Sequence, residues 1–418
     1  MTDRNAADAS DATPKRRLLS HLGLLGPAFV AAVAFVDPGN VATNLQAGTR
    51  YGYLLTWVLV VATASAGLIQ YLSAKLGIVT GQSLSELLCS RLNTPIRLSY
   101  WLQAEVIAIA TDLAEVVGGA IALQLLFNLP LFIGGVISGG VSILLLLIRD
   151  GRGQRRFEQV ITGLLLIIAI GFVAGLFAAP PSPSGVLQGL VPRFDGLDSL
   201  VLASGMFGAT VMPHVVYLHS AMTRDRFGRV APGAATRRVL SATKLDVLLA
   251  MTVAGGVNIA MLLLAASALR GHANVDTITG AHAAVTDALG PGIGLLFAIG
   301  LLVSGLASGS VGAYAGSEIM AGLLHRRFSL TFRRLVTLVP ALVVLAMGAK
   351  PTAALVISQV VLSFGIPFAL FPLVWLTSQR SLMGDAVNRT RTASAGWLVA
   401  TGATVLNLAL IVQLVLTA

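Results

Sequence analysis

The sequence has little charge and almost no cysteine. Only 11% of its 418 residues are charged, whereas 56% are hydrophobic, and the mean hydropathy is +0.84. A soluble globular chain of this length would carry more charge, so that class is excluded. The single cysteine, Cys89, excludes an intrachain disulfide and a metal centre built on several thiolates. The composition predicts a chain that contacts lipid over most of its surface.

Long apolar segments recur along the chain, separated by short polar connections. A run of about 20 apolar residues is long enough to cross a bilayer as a helix. We predict an all-α polytopic membrane protein with eleven transmembrane helices, near residues 22–47, 52–76, 98–127, 131–148, 158–179, 198–222, 243–269, 290–322, 334–349, 352–378 and 394–417.

The N-terminal segment differs in composition from the rest of the chain. Its first twenty residues are polar, and the apolar run that follows is too long for the core of a cleavable signal peptide. We expect residues 1–20 to form a cytoplasmic tail and residues 21–418 to form a single transmembrane domain.

The positions of the basic residues explain the net charge of +10. With the N-terminus in the cytoplasm, 24 of the 28 lysines and arginines fall in inner segments. The four in outer segments are Arg50, Arg193, Arg270 and Lys350. This asymmetry follows the positive-inside rule and predicts a multi-pass cell-membrane protein with a cytoplasmic N-terminus and an outer C-terminus. Because basicity here reflects topology, we expect no nucleic-acid partner.

A carboxylate lies at an interruption of the first span. Asp37 is followed by Pro38, Gly39 and Asn40 inside an otherwise apolar run. Proline removes a helical hydrogen bond and glycine adds backbone freedom, so we expect the helix to break here. A charge in the membrane is costly, and broken backbone is tolerated there only inside protein or along a polar cavity. The pattern favours a binding site, with a simple proline kink and a snorkelling aspartate as the alternative.

The sixth span contains a second interruption. Met212 and Pro213 lie 175 residues and five spans after Asp37 and Pro38. Because five is odd, two halves related by this shift have opposite orientations, as in inverted-repeat transporters with midplane sites. The alternative is a coincidence of two prolines, which membrane helices tolerate. The repeat interpretation divides the chain into repeat one at about 22–179, repeat two at about 198–378 and an extra span at about 394–417.

Three acidic residues lie along one side of the third span. Asp112 and Glu115 are three residues apart, and Glu105 lies two turns earlier. Such a stripe in a spanning helix indicates a route for protons or cations towards the cytoplasm. A hydrogen-bonded cluster that only holds helices together is the alternative, and for Glu105 it is equally favoured.

The residues at the two breaks suggest a cation site. Asp37 offers a carboxylate, Asn40 an amide oxygen and Met212 a thioether, and the unwound backbone adds carbonyls. Ca²⁺ and Mg²⁺ prefer oxygen-only shells, whereas sulfur favours transition metals such as Mn²⁺ or Fe²⁺. Methionine usually serves packing, and only its place in the mirrored break raises Met212 above that role.

Other polar residues in the spans are less informative. Gln359 in the tenth span is equally compatible with helix packing and with ligation. Arg333 and Arg334 begin the ninth span and are typical topology markers, although one could pair with the acids of the third span. His219 is more typical of a structural residue. Two pairs of glycines spaced four residues apart in the eighth span, Gly305 with Gly309 and Gly312 with Gly316, favour close helix packing.

These motifs together resemble the natural-resistance-associated macrophage protein (Nramp) family, and most of all its bacterial proton-dependent manganese transporters. The resemblance rests on Asp37 to Asn40 in the first span and on Met212 to His214 in the sixth. It extends over nearly the whole chain and includes residues 111–115 and 358–363. It implies a LeuT-like fold with discontinuous first and sixth spans.

The resemblance also implies roles for individual residues. The metal ligands would be Asp37, Asn40, Met212 and the carbonyl of Ala209, joined in some conformations by the carbonyl of Ala34 and the side chain of Gln359. The proton would move through Asp37 and a polar network of Asp112, Glu115, His214, Glu105 and Arg334.

The expected function is symport of Mn²⁺, and of Fe²⁺ and similar ions, with protons into the cytoplasm by alternating access. A divalent-metal channel or uniporter without proton coupling is the alternative. The two histidines His214 and His219 do not form an HExxH pattern, and no protease motif is present, so an enzyme is not expected. We expect the metal and the proton as substrates, with no resident cofactor and no obligate protein partner.

Overall fold

The structure is a computed structural model that describes residues 26–152, 154–272, 275–324 and 330–417. The predicted N-terminal tail, residues 1–20, lies outside the described residues. Within the described ranges the regular structure consists of helices and includes no strand. The chain is therefore all-α, as its long apolar segments predict.

Helices follow one another along the whole described chain, joined by short connections. They are α1 (Pro27–Ala34), α2 (Pro38–Tyr51), α3 (Thr56–Thr80), α4 (Leu84–Cys89), α5 (Thr94–Phe127), α6 (Leu131–Arg152), α7 (Gln154–Ala178), α8 (Pro183–Gly189), α9 (Gly196–Thr210), α10 (Pro213–Phe227), α11 (Ala234–Leu264, continued as a π-helix over Ala265–Leu269), α12 (Ile278–Leu289), α13 (Pro291–Leu324), α14 (Leu330–Ala346), α15 (Pro351–Thr377), α16 (Arg380–Met383, followed by a 3₁₀ turn over Gly384–Ala386) and α17 (Thr390–Thr417).

The predicted spans correspond to helices or helix pairs. Among the described residues, eight helices are long and apolar enough to cross a membrane, or nine if the bent pair α1 and α2 is one span. The shorter α6, apolar over Leu131–Leu145, and the 17-residue α14 occupy the places of the fourth and ninth predicted spans. The eleven predicted spans are roughly consistent with these helices.

Helix ends differ from the predicted span ends where helices continue into polar sequence. The seventh span is predicted from residue 243, but α11 begins at Ala234 and includes Arg237 and Arg238. Hydropathy reports where a helix meets hydrocarbon, whereas backbone hydrogen bonding continues through basic residues.

The first span breaks where proline removes a donor. Helix α1 ends at Ala34 because Pro38, four residues on, has no N–H to offer its carbonyl. Asp37 has extended backbone (φ −77°, ψ 166°) and α2 starts at Pro38. The two helices meet at an angle of 55°. The predicted break is confirmed.

The sixth span breaks with less change of direction. Val211 (φ −110°, ψ 58°) and Met212 (φ −61°, ψ 118°) leave helical geometry between α9 and α10. The two helices nevertheless continue as one 32-residue span. The second break thus unwinds the backbone over two residues without the sharp bend of the first.

The broken spans lie at the centre of the bundle. Over an apolar stretch of 18 residues in span 6, 89% of the residues are buried inside the protein. Over the corresponding stretch of α17 the share is 28%. Helices α5 and α13 approach closely through the predicted glycine stripe, because a methyl group at Gly305 would lie 2.9 Å from the carbonyl oxygen of Glu115. The peripheral helices therefore face lipid and the two breaks face protein.

Candidate metal site

The carboxylate of Asp37 is buried between the two broken spans and α15. Its side chain has no solvent exposure, so the snorkelling alternative is wrong. One oxygen accepts hydrogen bonds from the backbone N–H of Asn40 at 2.8 Å and from its side-chain amide at 2.6 Å. The other accepts from the amide of Gln359 on α15 at 3.0 Å. The carboxylate thus caps the N-terminus of α2, where the helix dipole favours an anion.

Asn40 connects the two breaks directly. Its amide nitrogen also donates to the carbonyl oxygen of Ala209 at 3.1 Å, across 169 residues of sequence. Asp37 and Asn40 of span 1, Ala209 of span 6 and Gln359 of span 10 therefore meet in one hydrogen-bonded cluster. Met212 lies three residues beyond Ala209 and is fully buried.

Both backbone carbonyls implied by the resemblance lie four residues before a proline. In a helix the carbonyl of Ala34 would accept from residue 38, and that of Ala209 from residue 213. Both of those residues are prolines and have no N–H. Each proline therefore frees one acceptor at its break, and this spacing is a sequence signal that could identify both carbonyls without any family resemblance.

The cluster also contains oxygens without donors. Among the described residues, the buried amide oxygens of Asn40 and Gln359 have no hydrogen-bond partner. Buried polar atoms are normally paired, so two such oxygens beside one carboxylate indicate a place for a cation. Within the described ranges there is no group of three or more His, Cys, Asp or Glu side chains able to hold a metal. The groups that hydrogen bonds bring together here are one carboxylate, two amides and the carbonyl of Ala209.

Two further residues hold the unwound backbone of span 1. The side chain of Asn258 on α11 donates to the carbonyl of Phe35 at 2.7 Å and accepts from Asn44 at 3.0 Å. Ser304 on α13 donates its hydroxyl to the carbonyl of Val36. These side chains supply the donors that the broken helix lacks. Sequence reasoning missed both, because a single asparagine or serine in an apolar span has no spacing signature.

Replacement of Asn258 with leucine is expected to destabilise the fold by about 1–2 kcal/mol, because it leaves the carbonyl of Phe35 without a donor in a dry environment. The free energy of unfolding in mixed micelles measures the effect. Thr252→Val is the matched control on the same helix, since Thr252 is exposed and bonds only within its own helix. Equal stability of the two variants would contradict the role given to Asn258.

The acids of span 3 face arginines of span 9. Arg334 forms an ion pair with Asp112, and the same nitrogen lies 3.6 Å from an oxygen of Glu115. All three side chains are at least 97% buried. A second donor of Arg334 binds the hydroxyl of Ser142 on α6 at 2.9 Å. A methyl group at Gly118, three residues after Glu115 on α5, would overlap the ring of Pro38, so this cluster adjoins the break of span 1.

Glu105 continues the stripe with a separate partner. It forms an ion pair of 2.8 Å with Arg333, whose side chain is 5% exposed. Neither arginine is therefore a simple topology marker. Arg333 also belongs to this network, although the residues predicted from the sequence did not include it. The glycine stripe of α13 makes room for these groups, because side chains at Gly309 and Gly316 would overlap Arg334 and Arg333.

The two histidines of α10 have different surroundings. His214 is 2% exposed, and among the described residues neither ring nitrogen has a hydrogen-bond partner. Its membership of the acidic network stays a prediction. His219 binds the side chain of Gln70 on α3 at 2.8 Å, an arrangement that fits the structural role predicted for it.

A separate ionic cluster lies at the far end of α10. Arg224 contacts Glu86 of α4 at 2.7 Å and Glu318 of α13 at 3.0 Å. Burial opposes ionisation of Glu86, but its bonds with Arg224 and with the backbone of Ser83 lower its pKa. Glu318, for which the sequence predicts no role, thus belongs to an ion-pair network that joins three helices.

Comparison with known proteins gives one family. The family model described as natural resistance-associated macrophage protein-like matches residues 28–413. A protein named divalent metal cation transporter MntH from Mycobacterium tuberculosis (strain H37Rv) is 59% identical over 388 residues, which cover 93% of this chain and 91% of that protein. The protein of the same name from Bacillus subtilis (strain 168) is 43% identical over 395 residues, with 94% and 92% covered.

Solved structures agree with this result at the level of the fold. The manganese transporter of Eremococcus coleocola superposes with a TM-score of 0.84 at 30% identity, over 94% of this chain and 86% of that one. Mhp1, a nucleobase-cation-symport-1 family transporter with the LeuT fold, gives a TM-score of 0.55 at 17% identity over 94% and 93%. The latter similarity shows the fold alone, which is the predicted arrangement of two inverted five-helix repeats.

Proposed function

The chain belongs to the natural resistance-associated macrophage protein (Nramp) family, and on this premise we propose that it transports Mn²⁺ and similar divalent transition metals into the cytoplasm together with protons. The observation that supports the proposal most is the convergence of Asp37, Asn40, Ala209 and Gln359 in one buried cluster. These groups come from three spans, and Met212 lies in the same break as Ala209. The relatives named above are transporters, and this protein is likewise a transporter and not an enzyme.

The ligand set suits a transition metal better than Ca²⁺. A carboxylate, amide oxygens and carbonyls are hard donors that bind most divalent ions, whereas the thioether of Met212 adds a soft donor that Ca²⁺ does not favour. The amides of Asn40 and Gln359 can rotate by a half-turn. After this rotation the amide oxygens, instead of the N–H groups that donate to the carboxylate, face the site and can bind a cation. The ligands would be Asp37, Asn40, Met212, the carbonyls of Ala209 and Ala34, and Gln359.

Alternating access follows from the distribution of the ligands. Span 1, span 6 and span 10 each contribute part of the coordination shell, so relative movement of the two repeats assembles or opens it. The breaks at residues 35–37 and 211–212 supply the hinges. The short helix α1 begins where the carboxylate of Asp246 on α11 accepts hydrogen bonds from Gly26 and Ala28, both at 3.0 Å. Release of this contact would free α1 to move.

The polar network gives the proton a route separate from the metal. A divalent cation favours the ionised form of Asp37. Metal binding therefore displaces a proton from that carboxylate or shifts it to Asp112. The proton passes to Asp112 and onward along Glu115, His214 and Glu105, while Arg334 belongs to the same polar network as the charged partner of Asp112. Ion pairs of Asp112 with Arg334 and of Glu105 with Arg333 give the acids of α5 charged partners along the stripe.

The orientation and location follow from the distribution of basic residues. The protein spans the cell membrane with its N-terminus in the cytoplasm and its C-terminus outside. Residues 1–20 form a cytoplasmic tail, and residues 21–418 form one transporter domain made of two repeats and an extra span. Metal ions and protons are its substrates, with no resident cofactor, nucleic acid or obligate protein partner.

Transport by purified protein in liposomes tests the proposal. An inward proton gradient should accelerate Mn²⁺ uptake, and Mn²⁺ should in turn cause measurable acidification of the liposome interior. A channel or uniporter would take up Mn²⁺ at a rate set by the metal gradient and the membrane voltage alone. Uptake that is independent of the pH gradient at clamped voltage would reject symport.

Replacement of Asp112 with asparagine is expected to lower the protons entering per Mn²⁺ by about tenfold, with a smaller effect on Mn²⁺ uptake. Asparagine keeps the shape but holds no exchangeable charge, and Arg334 retains Glu115 as a partner at 3.6 Å. Simultaneous recording of metal uptake and internal pH measures the ratio. Glu318→Gln serves as control because Glu318 also pairs with an arginine, the partly buried Arg224, but lies off the stripe. An unchanged ratio in Asp112→Asn would remove Asp112 from the route.

A further inference from the structure

Three of the four basic residues on the predicted outer face line a single cavity. Arg50, Arg193 and Arg270 surround a space of about 470 Å³, and of the four only Lys350 lies elsewhere. Arg50 is paired with Asp276 at 3.0 Å, and Asp195 is the one carboxylate in the lining. Within the described part of the chain, Arg193 and Arg270 have no acidic partner. Like charges gathered in this way attract an anion, although the transported ion is a cation.

An apolar groove of about 440 Å³ lies between α3, α9 and α17. Its lining includes Val61, Ala203, Phe207, Leu398, Gly402 and Val405. Val61, Leu398 and Val405 are 47%, 75% and 58% exposed, so the groove opens towards lipid. Along α3 it extends from Trp57 to Ser65, about 12 Å of helix, close to the roughly 15 Å hydrocarbon depth of one leaflet.

The groove and the arginine cavity share a wall. Phe194 lines both of them. Its ring packs edge-on against Trp57, with ring centroids 5.4 Å apart, and the indole N–H of Trp57 donates to the carbonyl of Arg193 at 3.3 Å. Aromatic residues of this kind mark the level of lipid headgroups. A basic cavity at headgroup level thus adjoins an apolar groove at acyl-chain depth, with Phe194 between them.

We propose that this composite site binds one anionic glycerophospholipid. Its phosphate would lie against Arg193 and Arg270, and one acyl chain would fill the groove beside α17. A free anion would gain no binding energy from the apolar groove. A lipid of zero net charge would gain less binding energy from two unpaired guanidinium groups than an anionic lipid would. The combination of both features selects a molecule that is anionic at one end and apolar at the other.

The site joins the outer halves of both broken spans. Arg50 and Tyr51 belong to the end of α2, while Arg193 to Asp195 lead into α9. A lipid held here contacts α2, which begins just after Asp37, and α9, which ends just after Ala209. It would therefore stabilise one arrangement of these halves, a property beyond metal and proton transport that does not rest on the proposed function.

Lipid retention by the full chain tests the proposal. The protein is reconstituted in equal parts phosphatidylcholine and phosphatidylglycerol, released into mild detergent, and its bound lipids are counted by native mass spectrometry. The wild type should retain one phosphatidylglycerol per chain. The double variant Arg193→Gln, Arg270→Gln should lower this affinity by roughly tenfold or more. Gly402→Phe should do the same, because a side chain there enters open space in the groove.

Two matched variants control for charge and for bulk. Lys350→Gln removes the fourth outer charge, and Gly163→Phe adds the same ring at another exposed glycine with open space around it. Both should retain the lipid as the wild type does. Equal retention of phosphatidylcholine and phosphatidylglycerol by the wild type would overturn the proposal. Displacement of the lipid by inorganic phosphate, with Gly402→Phe still binding normally, would overturn it in favour of a simple anion site.

Discussion

Replacement of Asp37 with alanine is expected to lower Mn²⁺ uptake in liposomes by at least about 100-fold. Loss of a group that only supports a metal ligand typically costs 10–100-fold, and Asp37 is the single carboxylate of this cluster. Its removal leaves amides, carbonyls and a thioether, none of which balances the charge of a divalent ion in a buried site. The measurement is the initial rate of ⁵⁴Mn²⁺ uptake at saturating metal.

Asp37→Asn separates ligand loss from structural damage. Asp37 also caps α2 through the backbone N–H of Asn40, and alanine would remove this cap at a cost of about 1 kcal/mol. Asparagine is an equally good cap but carries no charge. We therefore expect Asp37→Asn to unfold at nearly the wild-type temperature and still to transport poorly. Undiminished Mn²⁺ uptake by either variant would reject the site.

Replacement of Met212 with alanine is expected to change selectivity more than rate. Without the thioether the remaining donors are oxygens, which Ca²⁺ and Mg²⁺ accept as readily as Mn²⁺ does. Loss of about 1.4 kcal/mol of discrimination would reduce the ratio of Mn²⁺ to Ca²⁺ uptake by about tenfold. Competition of Ca²⁺ against ⁵⁴Mn²⁺ uptake measures this ratio directly.

Met206→Ala is the matched control for this experiment. Met206 is also fully buried and lies in the same span, two turns before Met212. Truncation of either side chain leaves a cavity and should destabilise the protein by a similar amount, about 2–5 kcal/mol. Only Met212→Ala should admit Ca²⁺. Equal discrimination in the two variants would show that the sulfur has no role in selectivity.

The sequence predicts the fold well because a chain in a bilayer must cross it as apolar helices whose backbone hydrogen bonds are satisfied internally. Hydropathy predicts the eleven spans, and Pro38 and Pro213 predict the two breaks, since each removes a hydrogen bond that the membrane cannot replace. The pairing of Asp37 with a mirrored Met212 identifies the two halves of the candidate site. Unequal bending of the two breaks has no counterpart in the sequence pattern, because the angle depends on the helices packed around each break.

The remaining contacts of the site depend on residues far apart in sequence. Gln359 reaches Asp37 across 322 residues, and spacing alone leaves its role open. Asn258 and Ser304 hold the unwound carbonyls of span 1, yet each is a lone polar residue in an apolar helix. Arg333 resembles a topology marker until α14 is packed against α5. Such pairings arise from tertiary packing, which local patterns do not encode.

The long sequence separation within the cluster has a consequence for biosynthesis. Chains are made from the N-terminus at about 5–20 residues per second, so Gln359 leaves the ribosome roughly 16–64 s after Asp37. Throughout that interval the first span must enter the bilayer with a carboxylate and freed carbonyls whose later partners do not yet exist. Truncated chains that end before α15 should therefore insert less stably into the membrane and be degraded faster by membrane proteases. Quality control of the nascent protein thus depends on α15, in the last sixth of the chain.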